Sequence, residues 1–306
     1  MKKVLIATEK PFAPVAVEKI RNILTGAGYK LVLLEKYTEK AGLLEAVADV
    51  DAIIIRSDKI DEEVIGAAKN LKIVVRAGAG YDNVDCAAAT AKGVVVMNTP
   101  GQNSNAVAEL ALGMMVFMAR GCFNGKAGTE LKGKNLGIHA YGNVGRIVAA
   151  IAKGFGMEVF AFDPFVAADQ IEKDGVKVCN SVEDLYSTCQ YISLHIPANE
   201  KTKGSINYDL LNTMPKNGLL VNTARKEVIC EESLLKIMSE NPGFKYASDI
   251  APACKDEIEA KFAGQFFFTP NKMGAQTAEA NINAGVASGE QIVGFFENGD
   301  ITCKVN

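Results

Sequence analysis

Tryptophan is absent from this 306-residue chain and histidine nearly so, with only His139 and His195. Imidazole is the usual proton carrier near neutral pH, so acid–base chemistry here has few candidate residues. The seven cysteines stand at 86, 122, 179, 189, 230, 254 and 303, with no CxxC pair among them. That odd, scattered set suggests neither a zinc site nor a disulfide framework; the expectation is no bound metal and a reducing, cytoplasmic compartment. There is no excess of charge of one sign. A net charge of −3 leaves no footprint for nucleic acid or an anionic membrane. No apolar run reaches the roughly 18–20 residues that span a bilayer. The opening MKKVLIATEK lacks the length and cleavage site of a signal peptide and reads as a first β-strand.

What the chain has instead is alternation. Apolar residues make up 48% and charged residues 23%, an ordinary globular composition with room for two domains. Short β-branched runs recur at 3–8, 30–36, 52–57, 72–78 and 93–98, with helical patterns at 14–26, 39–49, 61–69 and 84–91 between them. A second series of strand candidates follows at 135–141, 158–164, 176–179, 191–197, 218–225, 245–250 and 266–270. Unalternated apolar strands separated by helices predict parallel sheets covered on both faces. The fold class is therefore α/β: two Rossmann-like domains, each a parallel sheet with helices on both faces. The expected division is 1–98 plus 280–306 for one domain and 99–279 for the other, with a long final helix (277–299) returning to the first. NAVAELALGMMVFMARG (105–121) is apolar nearly all round, so as a helix it must be buried on most sides. It reads as a core helix, or as one at a domain or dimer interface.

The strongest local pattern is LGIHAYGNVGRIVAAIAKGFGMEVFAFDP (136–164). A strand runs into a small-residue turn, then a helix from about Asn143, then a strand ending at Asp163. In a dinucleotide site the second glycine admits the pyrophosphate to the backbone, the third allows close helix–strand packing, and the helix N-terminus holds the phosphates. Gly142 and Gly145 take those two places. Asp163 follows Gly142 by 21 residues, near the spacing expected of the acid that bonds the ribose hydroxyls, and an acid there favours NAD over NADP. The first glycine of the pattern is replaced by Ala140. If the turn needs positive φ, that residue is strained by about 1 kcal/mol; if it needs only a small side chain, the cost is close to zero.

These residues, with RAGAGYDNVD (76–85), NTPGQNSNAVAELALG (98–113), LHIP (194–197), TKGSIN (202–207), MPKNGLLVNTAR (214–225), SDIAP (248–252) and TPNKMGAQT (269–277), resemble the D-2-hydroxyacid dehydrogenases over nearly the whole chain. The resemblance implies hydride transfer between C2 of a D-2-hydroxy acid and the nicotinamide of NAD. It places the cofactor on Ala140, Tyr141, Gly142, Asn143, Val144, Asp163, Pro164, on His195, Ile196, Pro197, Thr202, and on Asn222, Thr223, Ala224 and Asp249. It places the substrate on Arg56, Ser57, Gly78, Ala79, Gly80 and Asn103. The family arginine falls on Arg225, a planar fork suited to clamping a carboxylate and polarising the C2 oxygen. The glycine after it is Lys226 here, an extra positive charge.

The family's Glu–His pair is missing. Its Glu position falls on Cys254. Its His position falls on Lys272 when aligned through the Gly-Ala of MGAQT, and on Asn271 when aligned through TP. A lysine titrates near 10.4 and must move down to exchange protons near neutral pH, which a neighbouring carboxylate opposes and an uncharged Cys254, an apolar pocket and Arg225 favour. On that reasoning the two replacements are linked, and Lys272 is the expected acid–base residue. His195 and a loop acid, Asp256 or Glu257, stand as alternatives, while His139 reads as a core histidine.

Arg56 ends an apolar strand where family members that oxidise 3-phosphoglycerate hold the phosphate. With Lys59 and the amides of the loop 78–80, it predicts a small phosphorylated 2-hydroxy acid as substrate. A hydroxypyruvate or glyoxylate reductase is the alternative, a non-enzymatic NAD(H)-sensing protein a further one, and a homodimer through 105–121 the expected assembly.

Overall fold

The computed structural model describes residues 1–306 and divides them into two compact units, Met1–Asn103 with Thr277–Asn306, and Ser104–Gln276. The divisions lie a few residues from the expected 98/99 and 279/280.

The first unit runs β1 (Lys3–Thr8), α1 (Pro14–Gly26), β2 (Lys30–Glu35), α2 (Lys40–Ala46), β3 (Ala52–Ile55), α3 (Glu62–Ala67), β4 (Ile73–Arg76), α4 (Cys86–Ala91) and β5 (Val95–Asn98). All pairings are parallel and the strand order is β2-β1-β3-β4-β5. Ile53, Ile54 and Ile55 are wholly buried, which is why these strands read as unbroken apolar runs: both faces of the sheet are covered. Asp61 and Asp85 cap α3 and α4 through their side chains, each satisfying an orphan amide of the first turn.

The second unit opens with α5 (Ser104–Ala119), then β6 (Asn135–His139), α6 (Asn143–Gly154), β7 (Glu158–Phe162), α7 (Ala168–Lys173), β8 (Lys177–Val178), α8 (Val182–Thr188) and β9 (Tyr191–Leu194). It continues with α9 (Tyr208–Asn212), β10 (Leu219–Asn222), α10 (Glu231–Glu240), β11 (Lys245–Ser248), α11 (Lys255–Lys261) and β12 (Phe266–Phe268). The seven strands are parallel in the order β12-β11-β10-β9-β6-β7-β8. The order reverses between β6 and β9, the switch point at which open α/β sheets bind ligands beyond their strand ends. Helix α5 packs in the core of this unit through Ala108, Ala111, Leu112, Met115 and Met118. Its all-round apolar pattern thus has a core reading within its own unit.

The last helix, α12 (Ala278–Asn298), belongs to the first unit and packs on α1. Thr277 caps it, and Gly299 ends it at φ +66°, the left-handed stop that glycine adopts without strain. No helix is long and apolar enough to cross a membrane.

Candidate active site

The turn after β6 settles the question left open at Ala140. Its φ is +78°, a left-handed backbone at the place where glycine is unstrained and alanine is not. The strain is held from two sides. The Ala140 amide donates to Phe162 O at 3.0 Å, and the next amide, Tyr141 N, donates to Asp163 Oδ2 at 2.7 Å. Asp163 Oδ1 accepts from Phe165 N at 2.8 Å, so the carboxylate orders both its own turn and the β6 turn. Each oxygen keeps further lone-pair capacity for a ribose hydroxyl. The Tyr141 side chain is buried, and its hydroxyl donates to Asp174 Oδ2 at 3.0 Å, which also receives Arg146 Nη1.

Helix α6 begins at Asn143, and its first intrahelical bond runs from Arg146 N to Gly142 O. The amides before it therefore face outward at the positive helix end. Gly142 has open space where a Cβ would stand. At Gly145 a Cβ would lie 2.5 Å from Ala140 O, so glycine is required for helix and turn to touch. Val144 is half-buried at the helix start, and Pro164 is exposed beyond β7.

On the other side of the switch point, His195 N donates to His139 O at 3.0 Å. The His195 imidazole shares a 2.9 Å hydrogen bond with Ser193 Oγ. Burial and the neighbouring His139 push it down to about 3, and burial pushes His139 down to about 4. Both rings are thus neutral near pH 7, and His195 is a poor proton carrier. His139 bonds the Tyr186 hydroxyl at 3.3 Å, as a packed core residue does. Ile196 is buried and Pro197 exposed; Thr202 donates to Pro197 O at 2.6 Å and accepts from Asn199 N at 2.9 Å, holding the loop shut.

The ends of β10, β11 and β12 bring the remaining residues together. Asn222 is wholly buried; its Nδ2 donates to Arg225 O at 2.9 Å and its Oδ1 accepts from Ala224 N at 2.9 Å. Ala224 O in turn receives Lys272 Nζ at 2.9 Å and Arg225 Nη1 at 3.0 Å. Asp249, also wholly buried, accepts from Gly274 N at 2.8 Å through Oδ2. Burial pushes its carboxyl above the ordinary value, while Lys272, the Gly274 amide and Arg225 pull it back.

That last contact corrects an expectation. The surroundings of Lys272 contain a carboxylate after all: Asp249 acts on it electrostatically. The replacement at Cys254 did not leave the lysine among uncharged groups. The spacing in sequence hid this, because β11 and the 269–274 turn meet only through the parallel register of β10, β11 and β12. Cys254 is a thiol, pushed up to about 12 by burial and Glu231. Asp256 and Glu257 stand on exposed first-turn positions of α11, not in a loop, and Glu257 pairs with Lys261 at 2.7 Å. Asn271 is exposed beside Lys272, and its carbonyl accepts the Thr269 hydroxyl.

The donor set fits a nicotinamide dinucleotide. Two side-chain oxygens at these strand ends, Asp249 Oδ1 and Thr223 Oγ1, are buried without a hydrogen-bond partner. Orphans of that kind at a strand-end edge call for a polar ligand, and they suit the hydrogen-bonding amide of the nicotinamide. The glycine cradle at Gly142 and Gly145 suits the pyrophosphate.

In the first unit, Arg56 follows β3. Its Nη1 donates to Lys10 O and Pro11 O, its Nη2 to Asn281 Oδ1, and it lies over the Phe12 ring at 5.3 Å. Most of its fork thus braces the start of α1 against α12, with Nε and one Nη2 proton left over. Ser57 is exposed, and Asn103 ends this unit's first stretch. The amides of Gly78, Ala79 and Gly80 donate to no backbone carbonyl, a glycine-rich turn of the kind that can receive an anion. Gly78 has φ +145°, and a Cβ there would stand 1.7 Å from Arg76 Nη1. Arg76 therefore lies against this loop, a cation the sequence reading did not single out; its one sequence signal was the position at the end of an apolar strand.

Comparison with known proteins shows the family and the fold. Residues 113–263 match the family described as D-isomer specific 2-hydroxyacid dehydrogenase, NAD binding domain. The hydroxypyruvate reductase of Thermotoga maritima is 35% identical over 281 residues, 86% of this chain and 90% of that protein. The D-3-phosphoglycerate dehydrogenase of Methanocaldococcus jannaschii is 34% identical over 267 residues, 83% of this chain and 51% of that protein; the chain spans about half the length of such relatives. The NAD+-bound crystal structure of 3-phosphoglycerate dehydrogenase from Entamoeba histolytica superposes with a TM-score of 0.90 at 48% identity, over 100% of this chain and 98% of that one.

Proposed function

The chain belongs to the NAD-dependent D-isomer-specific 2-hydroxyacid dehydrogenases, and within that family we propose that it oxidises D-3-phosphoglycerate to 3-phosphohydroxypyruvate, the entry reaction of serine biosynthesis. The observation that carries this reading is the full-length likeness, at 48% identity, to a structure described as NAD+-bound 3-phosphoglycerate dehydrogenase. Bound NAD supplies the acceptor for the hydrogen at C2. The Arg225 fork holds the substrate carboxylate and polarises the C2 oxygen. Lys272 takes the C2 hydroxyl proton during oxidation and returns it during reduction.

The geometry supports a paired role. One carbonyl, Ala224 O, receives both Lys272 Nζ and Arg225 Nη1, so the two cations are held at a common point. Asp249 lies close enough to Lys272 for the two to interact electrostatically. Asp249 Oδ1 and Thr223 Oγ1 orient the nicotinamide, and the α6 amides hold the pyrophosphate. Arg56, through its two remaining donors, and the amides of 78–80 are assigned to the substrate's anionic groups. All seven cysteines are free thiols, in keeping with a cytoplasmic enzyme, and a homodimer is part of the same reading.

A second reading, hydroxypyruvate reduction, is favoured by the 90% coverage of the Thermotoga maritima protein. Initial rates decide between them: NAD+ with D-3-phosphoglycerate against NADH with hydroxypyruvate. A kcat/KM at least tenfold higher on the phosphorylated pair is expected. Turnover of hydroxypyruvate with none of the phosphorylated compounds would sink the proposal in favour of the reductase.

A further inference from the structure

Tyr246 lies in the middle of β11 with no exposed surface. Its ring packs edge-on against Phe268 at 5.8 Å between centroids, yet its hydroxyl does not face an apolar neighbour. It accepts from Asn222 Nδ2 at 3.3 Å. A phenol buried this deeply is costly unless the hydroxyl has a task.

The task follows from what Asn222 holds. One Nδ2 proton goes to Arg225 O, the other to the Tyr246 hydroxyl, and Oδ1 accepts from Ala224 N. The amide therefore pins the peptide 224–225 at both ends, with Tyr246 as its third anchor. An asparagine amide turns about a broad, shallow torsion, and two bonds to one short loop leave it able to rock with that loop. The Tyr246 hydroxyl belongs to a different strand and ties the amide to the sheet. The same peptide carries Ala224 O, on which Lys272 Nζ and Arg225 Nη1 converge. The backbone of Asn222 is tied to β11 as well, its carbonyl accepting from Ser248 Oγ at 2.9 Å.

We propose that Tyr246 is a positioning residue of the reaction: through Asn222 its hydroxyl sets the place of the Ala224–Arg225 peptide and thereby the spacing of Arg225 and Lys272. This rests on Arg225 and Lys272 being the reacting pair. Without the hydroxyl, one Asn222 N–H is left buried and unpaired. The amide then turns to find a partner and releases Arg225 O or Ala224 N.

The test is Tyr246→Phe, which keeps the ring and the packing against Phe268, combined with Asn222→Ala in a double-mutant cycle. The readouts are kcat, KM for each substrate, and the thermal midpoint. Tyr246→Phe is expected to lower kcat by about tenfold with KM for NAD changed by less than about twofold. In the Asn222→Ala background it should cost nothing more, because the group through which it acts is gone. A native kcat in Tyr246→Phe, with or without a lower thermal midpoint, overturns the proposal; so do losses that simply multiply in the double variant. If Asn222→Ala fails to fold, the kcat of the single variant against its thermal midpoint still decides. Absence of turnover in the native enzyme, or full turnover after Lys272→Met, instead defeats the function reading on which this inference stands.

Discussion

Lys272 Nζ and Arg225 Nη1 donate to the same oxygen, the carbonyl of Ala224, at 2.9 and 3.0 Å. Two cations from different loops are thus registered against one backbone atom. The 222–225 turn sets where that oxygen stands, and each side chain reaches it in the rotamer it adopts.

Lys272→Met keeps the aliphatic reach and removes the amine. The expected result is a fall in kcat of roughly 10²–10⁴-fold, the usual worth of a positioned proton carrier, with NAD affinity unchanged. The native rate of oxidation should rise along a basic limb that the variant lacks. Steady-state rates over pH, with cofactor titrated by fluorescence, check both. Full activity in the variant would return attention to another proton carrier.

Arg225→Lys retains the charge and loses the fork. A point ammonium cannot make two parallel bonds to a carboxylate, and a charged hydrogen bond contributes about 1.5–3 kcal/mol. A fall in kcat/KM of about 10–100-fold is expected, shared between a higher substrate KM and a lower kcat. An unchanged substrate KM would show that Arg225 does not clamp the carboxylate.

Ala140→Gly relieves a left-handed alanine at φ +78°. The folded state gains about 1–2 kcal/mol, and the more flexible unfolded chain gives back about 0.4–1 kcal/mol. The net expectation is a protein more stable by about 0.5–1 kcal/mol, measured by urea unfolding. A destabilised variant would mean that the alanine methyl is packed well enough to outweigh its strain.

His195 carries a pH effect on stability. Its folded value is depressed to about 3 from an ordinary 6.5. The unfolded chain therefore takes up a proton first as pH falls, and stability present above pH 6.5 is lost progressively down to about pH 3. His139, depressed to about 4, acts in the same direction. Comparing urea midpoints at pH 7 and pH 4.5 for the native chain and His195→Asn, the variant should lose less on acidification. Equal losses would show that the ring is solvated.

The two parallel sheets were legible because their strands are buried on both faces. A run such as AIIIRS is apolar without alternation, and the helices between the runs carry their own period. The dinucleotide turn was legible for the same local reason: strand, small residues, helix and terminal acid are consecutive. Arg225 and Lys272 were reached through family likeness, since neither stands out by spacing alone. Tyr246 gave no signal, for a tyrosine in a short strand reads as ordinary packing, and its hydroxyl finds Asn222 only when β11 lies beside β10. Asp249 likewise meets Lys272 through strand order, which periodicity does not encode.

By itself, then, the sequence determined the α/β alternation, the position of the nucleotide turn and the lack of histidine at the expected acid–base position, because each is a matter of residue type and local period. Only the tertiary structure decided that Ala140 is strained, that a carboxylate acts on Lys272 and that two cations share one carbonyl. Those facts depend on backbone angles and on atoms brought together from separate strands, and no local pattern carries either.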